Sequence, residues 1–273
     1  MATTKILLLG GHGRVSLKLT PLLLARSWHV TSVVRDPAHE AEILKLAEGR
    51  PGKLEVLVES LDDVGGEAGA AKVLDRVRPN WVVWSAGAGG KGGAARTYAI
   101  DRDAAKAYIG ASCASSSGVS KFLMVSYIGS RRGSPPWWTA EDREGADHVN
   151  TKVLPDYYKA KVDADEYLLA MAEKRRKEDG GDAQFQMINL RPGTLTDDPA
   201  TGKVKMGKTS SRGNISRDDV AAVAAVLLAR DDTRGYFDLL QGETAIEAEV
   251  DRLVKDNHDG TEGENLEEIY AKF

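Results

Sequence analysis

Short runs of apolar residues recur along the chain and alternate with segments that have the 3.6-residue periodicity of helices. Several runs, such as residues 6–9 and 81–84, are apolar at consecutive positions rather than at every second one. Consecutive apolar positions are typical of strands that are buried on both faces, as in a parallel sheet covered by helices. The alternation therefore predicts a doubly wound α/β fold, with a Rossmann-type parallel sheet and helices on both faces.

The predicted strands are residues 5–10, 29–34, 54–59, 81–85, 121–126, 184–190 and 236–240. The predicted helices are residues 14–26, 38–47, 69–78, 96–115, 156–177 and 217–229. Two long polar connections, 129–155 and 195–215, follow strands, so we expect them at the carboxyl edge of the sheet as substrate-side loops. We expect a single domain over residues 1–255, with a small C-terminal substrate-side region and a tail at 256–273.

Composition narrows the class of protein. The formal net charge of −4 over 273 residues gives no electrostatic basis for binding nucleic acid. Cys113 is the only cysteine, so no intramolecular disulfide forms, and a small buried residue is the expected role. The first residues lack a secretory signal and no apolar run reaches the roughly 20 residues that cross a bilayer, which predicts a cytoplasmic protein without a membrane partner. The five histidines are scattered, so no metal site is expected.

The first predicted strand leads into a glycine-rich turn with the sequence GGHGRVS, residues 10–16. Gly10 permits a tight turn off the strand, and Gly13 lets the backbone approach a pyrophosphate at the start of a helix. Ser16 stands where a third glycine is usual, and it should widen the contact between helix and strand slightly. A strand before the turn and a helix after it favour a dinucleotide site, whose loop comprises Gly10, Gly11, His12, Gly13, Arg14 and Val15.

The end of the second strand indicates which dinucleotide binds. NAD sites usually place an acid on the ribose hydroxyls, whereas NADP sites need a cation for the 2′-phosphate. Arg35 comes first, about 25 residues after Gly10 and near the typical spacing, and Asp36 follows it. Arg14 is a candidate second contact to the 2′-phosphate. We therefore predict NADP(H), with Asp36 as an NAD-type ligand being the competing interpretation.

One Tyr-x-x-x-Lys pair, Tyr157 with Lys161, follows the connection 129–155. On a helix this spacing places both side chains on one face, where an ammonium group should lower the pKa of the phenol and make it a general acid. The alternative is an ordinary surface pair. Ser126, at the end of the fifth strand, is a candidate third member that bonds the substrate oxygen, and Tyr127 is an alternative donor.

Trp137 and Trp138 lie within the connection 129–155. Two interpretations remain open from the sequence. The indole rings either stack on a flat substrate or anchor the connection on the domain.

With these residues the chain resembles the atypical short-chain dehydrogenase/reductase superfamily, in particular the NAD(P)H-binding group that includes NmrA-like and flavin-reductase-like proteins. The resemblance covers most of residues 4–255. Besides the motifs above, it rests on residues 84–87 (WSAG), 99–103 (AIDRD), 124–129 (MVSYIG), 190–193 (LRPG) and 215–220 (ISRDDV).

The resemblance implies further contacts to the cofactor. Ser85, Ala86 and Gly87 would line the path from adenosine to nicotinamide, and Leu61 and Asp62 would lie near adenine. The backbone of Pro192, Gly193 and Thr194 would hold the nicotinamide carboxamide.

Three functions remain open from the sequence. The first is an NADPH-dependent oxidoreductase that reduces a small carbonyl, quinone or flavin-like substrate, as a monomer or homodimer. The second is a non-catalytic NADP(H)-sensing regulator or scaffold, because the resembled group includes proteins with no known catalysis. The third is an isomerase or epimerase that retains its NADP.

Overall fold

The structure of the protein, a computed structural model, describes residues 4–90, 92–180 and 185–273. Within these ranges the strands are β1 (Lys5–Leu9), β2 (His29–Val34), β3 (Lys53–Val58), β4 (Trp81–Trp84), β5 (Lys121–Val125), β6 (Gln186–Pro192), β7 (Thr194–Thr196), β8 (Lys203–Met206), β9 (Asn214–Ser216), β10 (Gly235–Gln241) and β11 (Thr244–Ala245). The α-helices are α1 (Arg14–Ala25), α2 (Glu40–Leu44), α3 (Gly66–Val77), α4 (Gly93–Thr97), α5 (Ala105–Cys113), α6 (Ala140–His148), α7 (Pro155–Glu178), α8 (Arg217–Ala229), α9 (Ile246–Lys255) and α10 (Leu266–Ala271).

The main sheet has the strand order β11-β8-β10-β6-β5-β4-β1-β2-β3. The seven strands from β3 to β10 in this order are parallel, whereas β8 and β11 close one edge in antiparallel pairing. The strand order reverses between β1 and β4, and a crevice opens at the carboxyl ends of the strands at such a point. The predicted doubly wound fold is confirmed, and its ligand crevice lies beside the glycine turn that follows β1.

Helices cover both faces of the sheet, as the consecutive apolar strands predicted. One apolar cluster packs α1, α8 and α9 against residues such as Ile6 and Leu8. The other packs α3, α5 and α7 against Leu7, Leu9 and Trp84. Alternate residues of β1 thus enter opposite cores, which is what a strand buried on both faces requires.

The connection 195–215, expected as a loop, contains β8 and parts of the two-stranded sheet β7–β9. β8 pairs antiparallel with β10 and alternates exposed and buried residues, with Val204 and Met206 inward. The expectation was wrong here because a four-residue edge strand carries little periodic signal. The predicted strand start at residue 184 lies outside the described residues, and β6 begins at Gln186.

The connection 129–155 also contains regular structure that was not predicted. Thr139 caps α6 by accepting from the Asp142 N–H, and the Asp142 side chain accepts from the Thr139 N–H in return. A π-helical segment, Val149–Val153, continues α6 up to α7. The helix was not predicted because its sequence, AEDREGADH, has no apolar face, and Asp142 is its one buried residue.

The two tryptophans of this connection anchor it. Trp138 is 4% exposed, and the indole N–H of Trp137 donates to the Thr209 carbonyl at 3.0 Å. The Arg131 guanidinium lies over both rings, at 5.6 and 5.8 Å from their centroids. These contacts favour the anchoring interpretation over stacking on a substrate.

Beneath these rings lies a buried ionic cluster. The Asp238 carboxylate accepts from Arg131 at 2.8 Å and from Arg191 at 2.7 Å, and all three side chains are at most 1% exposed. Both guanidinium groups also donate to the Gly260 carbonyl, so the cluster ties the C-terminal tail to the sheet. Farther along the tail, the Lys272 ammonium lies 3.0 Å from the Glu166 carboxylate on α7.

Candidate active site

The glycine turn after β1 is built for close approach of backbone. Gly10 has a φ of +84°, and a Cβ there would lie 2.6 Å from the Ala86 Cα, so no other residue fits without displacing the chain after β4. A Cβ on Gly11 would collide with the Ser32 hydroxyl. β2 and the segment after β4 thus both pack against this turn, and only glycine leaves a concave backbone surface there.

The N-terminus of α1 points into this surface without a capping group. Gly13 occupies the N-cap position, no side chain caps the helix, and its first turn contains no acid. The positive end of the helix dipole and the N–H groups of the first turn are therefore available to an anion. The buried Ser16 hydroxyl, without a hydrogen-bond partner among the described residues, lies 3.6 Å from where a Cβ on Gly13 would be. These features fit a pyrophosphate.

His12 and Arg14, both expected to contact the cofactor, have protein partners. The His12 ring stacks on His39 at 3.5 Å and lies 3.0 Å from a Glu42 oxygen, so it faces α2. Arg14 pairs with Asp197, just after β7. In this structure Arg14 therefore lies with Asp197 and not beside Arg35, and its contact to a 2′-phosphate stays a prediction.

Arg35 instead meets Asp62, which follows β3. Its Nη1 lies 3.5 Å from an Asp62 oxygen, and Arg96 from α4 donates to the same carboxylate at 3.2 Å. Hydrogen bonding by Arg96, and then by Arg35, holds the pKa of Asp62 below its usual range despite partial burial. Asp36, the competing NAD-type ligand, caps the turn Pro37–His39 by accepting from the Ala38 N–H at 2.9 Å.

The segment after β4, residues 85–88, connects the glycine turn to the helices on the other face. Ala86 lies against Gly10, and the Ala88 N–H donates to the Asp101 carboxylate at 2.9 Å. Asp101 is 2% exposed and belongs to a π-helical segment, Tyr98–Ala104, which joins α4 to α5. π-Helical turns are frequent at functional sites because they reorient one side chain out of the helical register.

Tyr157, Lys161 and Asp165 follow one another at four-residue spacing on α7 and face this segment. The Lys161 ammonium is buried and donates to the Val125 carbonyl at 3.2 Å. Asp101 and Asp165 both lie close enough to Lys161 for its charge to oppose the rise in their pKa that burial causes. The sequence predicted the Tyr–Lys pair but neither carboxylate.

The expected lowering of the Tyr157 pKa is wrong. Burial raises the pKa of the Tyr157 phenol well above its ordinary value, and the negative charges of Asp101 and Asp165 add to the rise. Lys161 does not reverse this, because two carboxylates flank the one ammonium group. The phenol therefore remains protonated throughout the neutral range.

Neither hydroxyl at the end of β5 is free to donate to a ligand. The Ser126 hydroxyl lies 2.6 Å from the Asp165 carboxylate, to which it donates. The Tyr127 hydroxyl donates to the Asn150 side-chain oxygen at 2.8 Å, and its ring lies 5.0 Å from the Tyr157 ring. Asn150 comes from the second π-helical segment and also donates to the Gly129 carbonyl. Tyr127 therefore supports Tyr157 rather than offering an independent donor.

Residues 192–194, expected to hold a carboxamide through the backbone, are engaged within the protein. The Gly193 N–H donates to the Leu239 carbonyl, and the Thr194 N–H donates to the Gly213 carbonyl. Contact through those two N–H groups is therefore not available in this structure. The Gly193 bond continues the pairing of β6 with β10, and the Thr194 bond leads into the small sheet β7–β9, which the sequence did not predict.

The described residues offer little support for a metal site, a reactive cysteine or a membrane-spanning helix. No group of three or more His, Cys, Asp or Glu side chains among them is placed to hold a metal ion. Cys113 is 3% exposed, and burial raises the pKa of its thiol to about 12. None of the described helices combines the length and apolar character needed to span a bilayer.

Comparison with known proteins identifies the family. A family profile described as NAD(P)H-binding matches residues 10–231. A UPF0659 protein of Schizosaccharomyces pombe is 33% identical over 222 residues, which are 80% of this chain and 81% of that protein. An "uncharacterized sugar epimerase", YhfK of Bacillus subtilis, is 31% identical over 252 residues, 91% of this chain and 100% of that protein.

Among solved structures, a putative NAD-dependent epimerase/dehydratase from Bacillus halodurans superposes with a TM-score of 0.69 at 26% identity, covering 92% of this chain and 100% of that one. These similarities agree with two features of the structure, the uncapped helix after a glycine turn and the reversal of strand order beside it. All of them are typical of a dinucleotide-binding fold. The chain therefore belongs to the NAD(P)H-binding family, and its motifs fit the atypical short-chain dehydrogenase/reductase group.

Proposed function

We propose that the protein is an NADPH-dependent oxidoreductase that reduces a small carbonyl, quinone or flavin-like substrate. One observation carries the proposal: the glycine turn and the Tyr157–Lys161 pair border the same segment, residues 85–88. Ala86 packs on Gly10, and the Asp101 carboxylate that binds the Ala88 N–H also faces Lys161 and Tyr157. A dinucleotide held at the turn would run along this segment towards Tyr157 and Lys161.

Each residue then has a chemical task. The bound cofactor supplies a hydride to the substrate carbon. Tyr157, which stays protonated at neutral pH, donates a hydrogen bond and then a proton to the substrate oxygen. Lys161, held by the Val125 carbonyl, and Ser126, held by Asp165, fix the position of the helix relative to β5. The Lys161, Ser126 and Asp165 side chains are buried, so water does not compete for these anchoring contacts.

Preference for NADPH rests on the two residues after β2. The Arg35 side chain is 59% exposed, whereas the Asp36 carboxylate already caps a turn. A carboxylate that accepts from a backbone N–H is less able to bind ribose hydroxyls, and an exposed guanidinium suits a phosphate. Arg35→Ala should weaken NADPH by the about 1.5–3 kcal/mol of a charged hydrogen bond and leave NADH unchanged. Equal losses for both cofactors would refute this preference.

The catalytic proposal is tested by Tyr157→Phe, with Tyr158→Phe as the matched control. The Tyr158 hydroxyl donates to the Arg131 carbonyl and touches no expected cofactor residue. NADPH oxidation is measured against a panel of carbonyls, quinones and flavins, and NADPH binding is measured by calorimetry. We expect Tyr157→Phe to lower turnover by well over tenfold at unchanged NADPH affinity, and Tyr158→Phe to retain turnover. Equal turnover in the two variants removes Tyr157 from the mechanism.

A second candidate, an epimerase that retains its cofactor, is favoured by two similar proteins, one described as an uncharacterized sugar epimerase and the other as a putative NAD-dependent epimerase/dehydratase. The Tyr157 phenol would then exchange a proton with a sugar hydroxyl. The two functions differ in the fate of the cofactor. An epimerase interconverts sugar isomers with catalytic amounts of NADP and no net change in NADPH absorbance, whereas a reductase consumes NADPH in proportion to product.

A further inference from the structure

Three charged side chains from consecutive strand ends meet beside the adenosine end of the expected cofactor path. Arg35 follows β2, Asp62 lies in the turn Leu61–Asp63 after β3, and Arg96 lies in α4 after β4. Arg96 donates to both Asp62 oxygens, at 3.2 and 3.4 Å, and Arg35 lies 3.5 Å from one of them. Two guanidinium groups therefore share one carboxylate.

The cluster is open to a larger anion. The side chains of Arg35, Arg96 and Asp62 are 59%, 26% and 33% exposed. Two positive charges and one negative charge leave one positive charge in excess. The Asp62 carboxylate contacts both arginines. An anion that took its place would therefore contact both Arg35 and Arg96.

A phosphate monoester is a stronger partner for this pair than the carboxylate is. Guanidinium groups present parallel N–H donors that match phosphate and carboxylate oxygens alike. A phosphate offers three oxygens and about −1.5 to −2 charge at neutral pH, against two oxygens and one charge for Asp62. Replacing the Asp62 carboxylate by a phosphate therefore increases the number of charge-assisted hydrogen bonds, and it needs no movement of the α4 backbone.

We propose that Arg96 is a second ligand of the 2′-phosphate of NADPH, and that Asp62 is the carboxylate it releases when that phosphate binds. The inference rests on the NADPH preference proposed above and adds a specificity-determining residue that motif spacing does not mark. It also gives Asp62 a role apart from adenine: without a 2′-phosphate, Asp62 satisfies both arginines and makes NADH binding insensitive to them.

The test is calorimetric titration of the purified full chain with NADPH, NADH, adenosine 2′,5′-bisphosphate and AMP. Arg96→Ala should weaken NADPH and the bisphosphate by at least about tenfold and leave NADH and AMP within about twofold. The control is Arg176→Ala, because Arg176 likewise makes two bonds to one carboxylate, that of Glu173, near the end of α7. It should change none of the four affinities.

Asp62→Asn gives an independent arm. Removing the competing charge while keeping the shape should raise the ratio of NADPH to NADH affinity. Equal weakening of NADPH and NADH by Arg96→Ala, or no change in either, overturns the inference, as does an unchanged ratio in Asp62→Asn. The wild-type protein tests the NADPH preference separately. If it binds NADPH no more tightly than NADH, the proposed cofactor preference is wrong, whatever the variants show.

Discussion

The Ser126 hydroxyl donates to the buried Asp165 carboxylate across 2.6 Å. Asp165 is 1% exposed and lies one helical turn after Lys161, so a helix of one layer and a strand end of the sheet are joined at the candidate active site. A serine hydroxyl has one hydrogen to donate. Since Asp165 takes it, Ser126 has only its lone pairs to offer a substrate.

This relationship separates the roles of Ser126 and Tyr157. We expect Ser126→Ala to lower turnover much less than Tyr157→Phe does, because a carbonyl oxygen needs a donor and Ser126 has none free. Single-turnover measurements of NADPH oxidation with the same substrate compare the two variants. An equal loss in both would mean that the Ser126 hydroxyl turns toward the substrate during the reaction.

The raised pKa of Tyr157 makes a prediction about pH dependence. The acid must be protonated to act, and a pKa above the ordinary tyrosine value of about 10 keeps it so throughout the neutral range. Turnover at saturating substrate should therefore be level from about pH 6 to about pH 9 and should lose its tyrosine-dependent part only at higher pH. A fall near neutral pH that is absent from Tyr157→Phe would contradict this.

Alanine substitutions at Gly10 and Gly49 separate the cost of a left-handed backbone conformation from the cost of a steric clash. Both have positive φ, +84° and +69°, but a Cβ on Gly49 meets nothing within 4 Å whereas one on Gly10 meets Ala86. Gly49→Ala should cost only the about 1–2 kcal/mol of the left-handed conformation, measured by denaturant unfolding, and should keep cofactor affinity. Gly10→Ala should cost more and abolish NADPH binding. Retained binding in Gly10→Ala would show that the turn does not hold the pyrophosphate.

The buried cluster around Asp238 is expected to be important for stability. Asp238→Ala leaves the Arg131 and Arg191 guanidinium groups buried without their counter-charge, which should cost about 3–5 kcal/mol of unfolding free energy. The control is Asp231→Ala, because Asp231 is fully exposed and lies 3.5 Å from Lys121, so its loss should leave the unfolding free energy nearly unchanged. Similar costs for the two variants would mean that another group balances the arginines.

Much of the fold was predictable because its signals are local. Each of the seven parallel strands is an apolar run bounded by polar residues, and each was found within a few residues of its position. Ser216 caps α8 by accepting from the Asp219 N–H, as a Ser-x-x-Asp spacing predicts. By contrast, α6 has almost no apolar face and β8 has four residues, so neither stood out.

For the candidate site, the sequence by itself determined the glycine turn, the cation after β2 and the Tyr157–Lys161 spacing, because each depends on neighbours along the chain. Only the tertiary structure decided which charges meet. Asp101, Asp165 and Arg96 come from different helices, and their contacts with Lys161, Ser126 and Asp62 arise from packing across the sheet. The direction of the Tyr157 pKa shift was decided there too, since it depends on burial and on Asp101, which only packing brings beside α7.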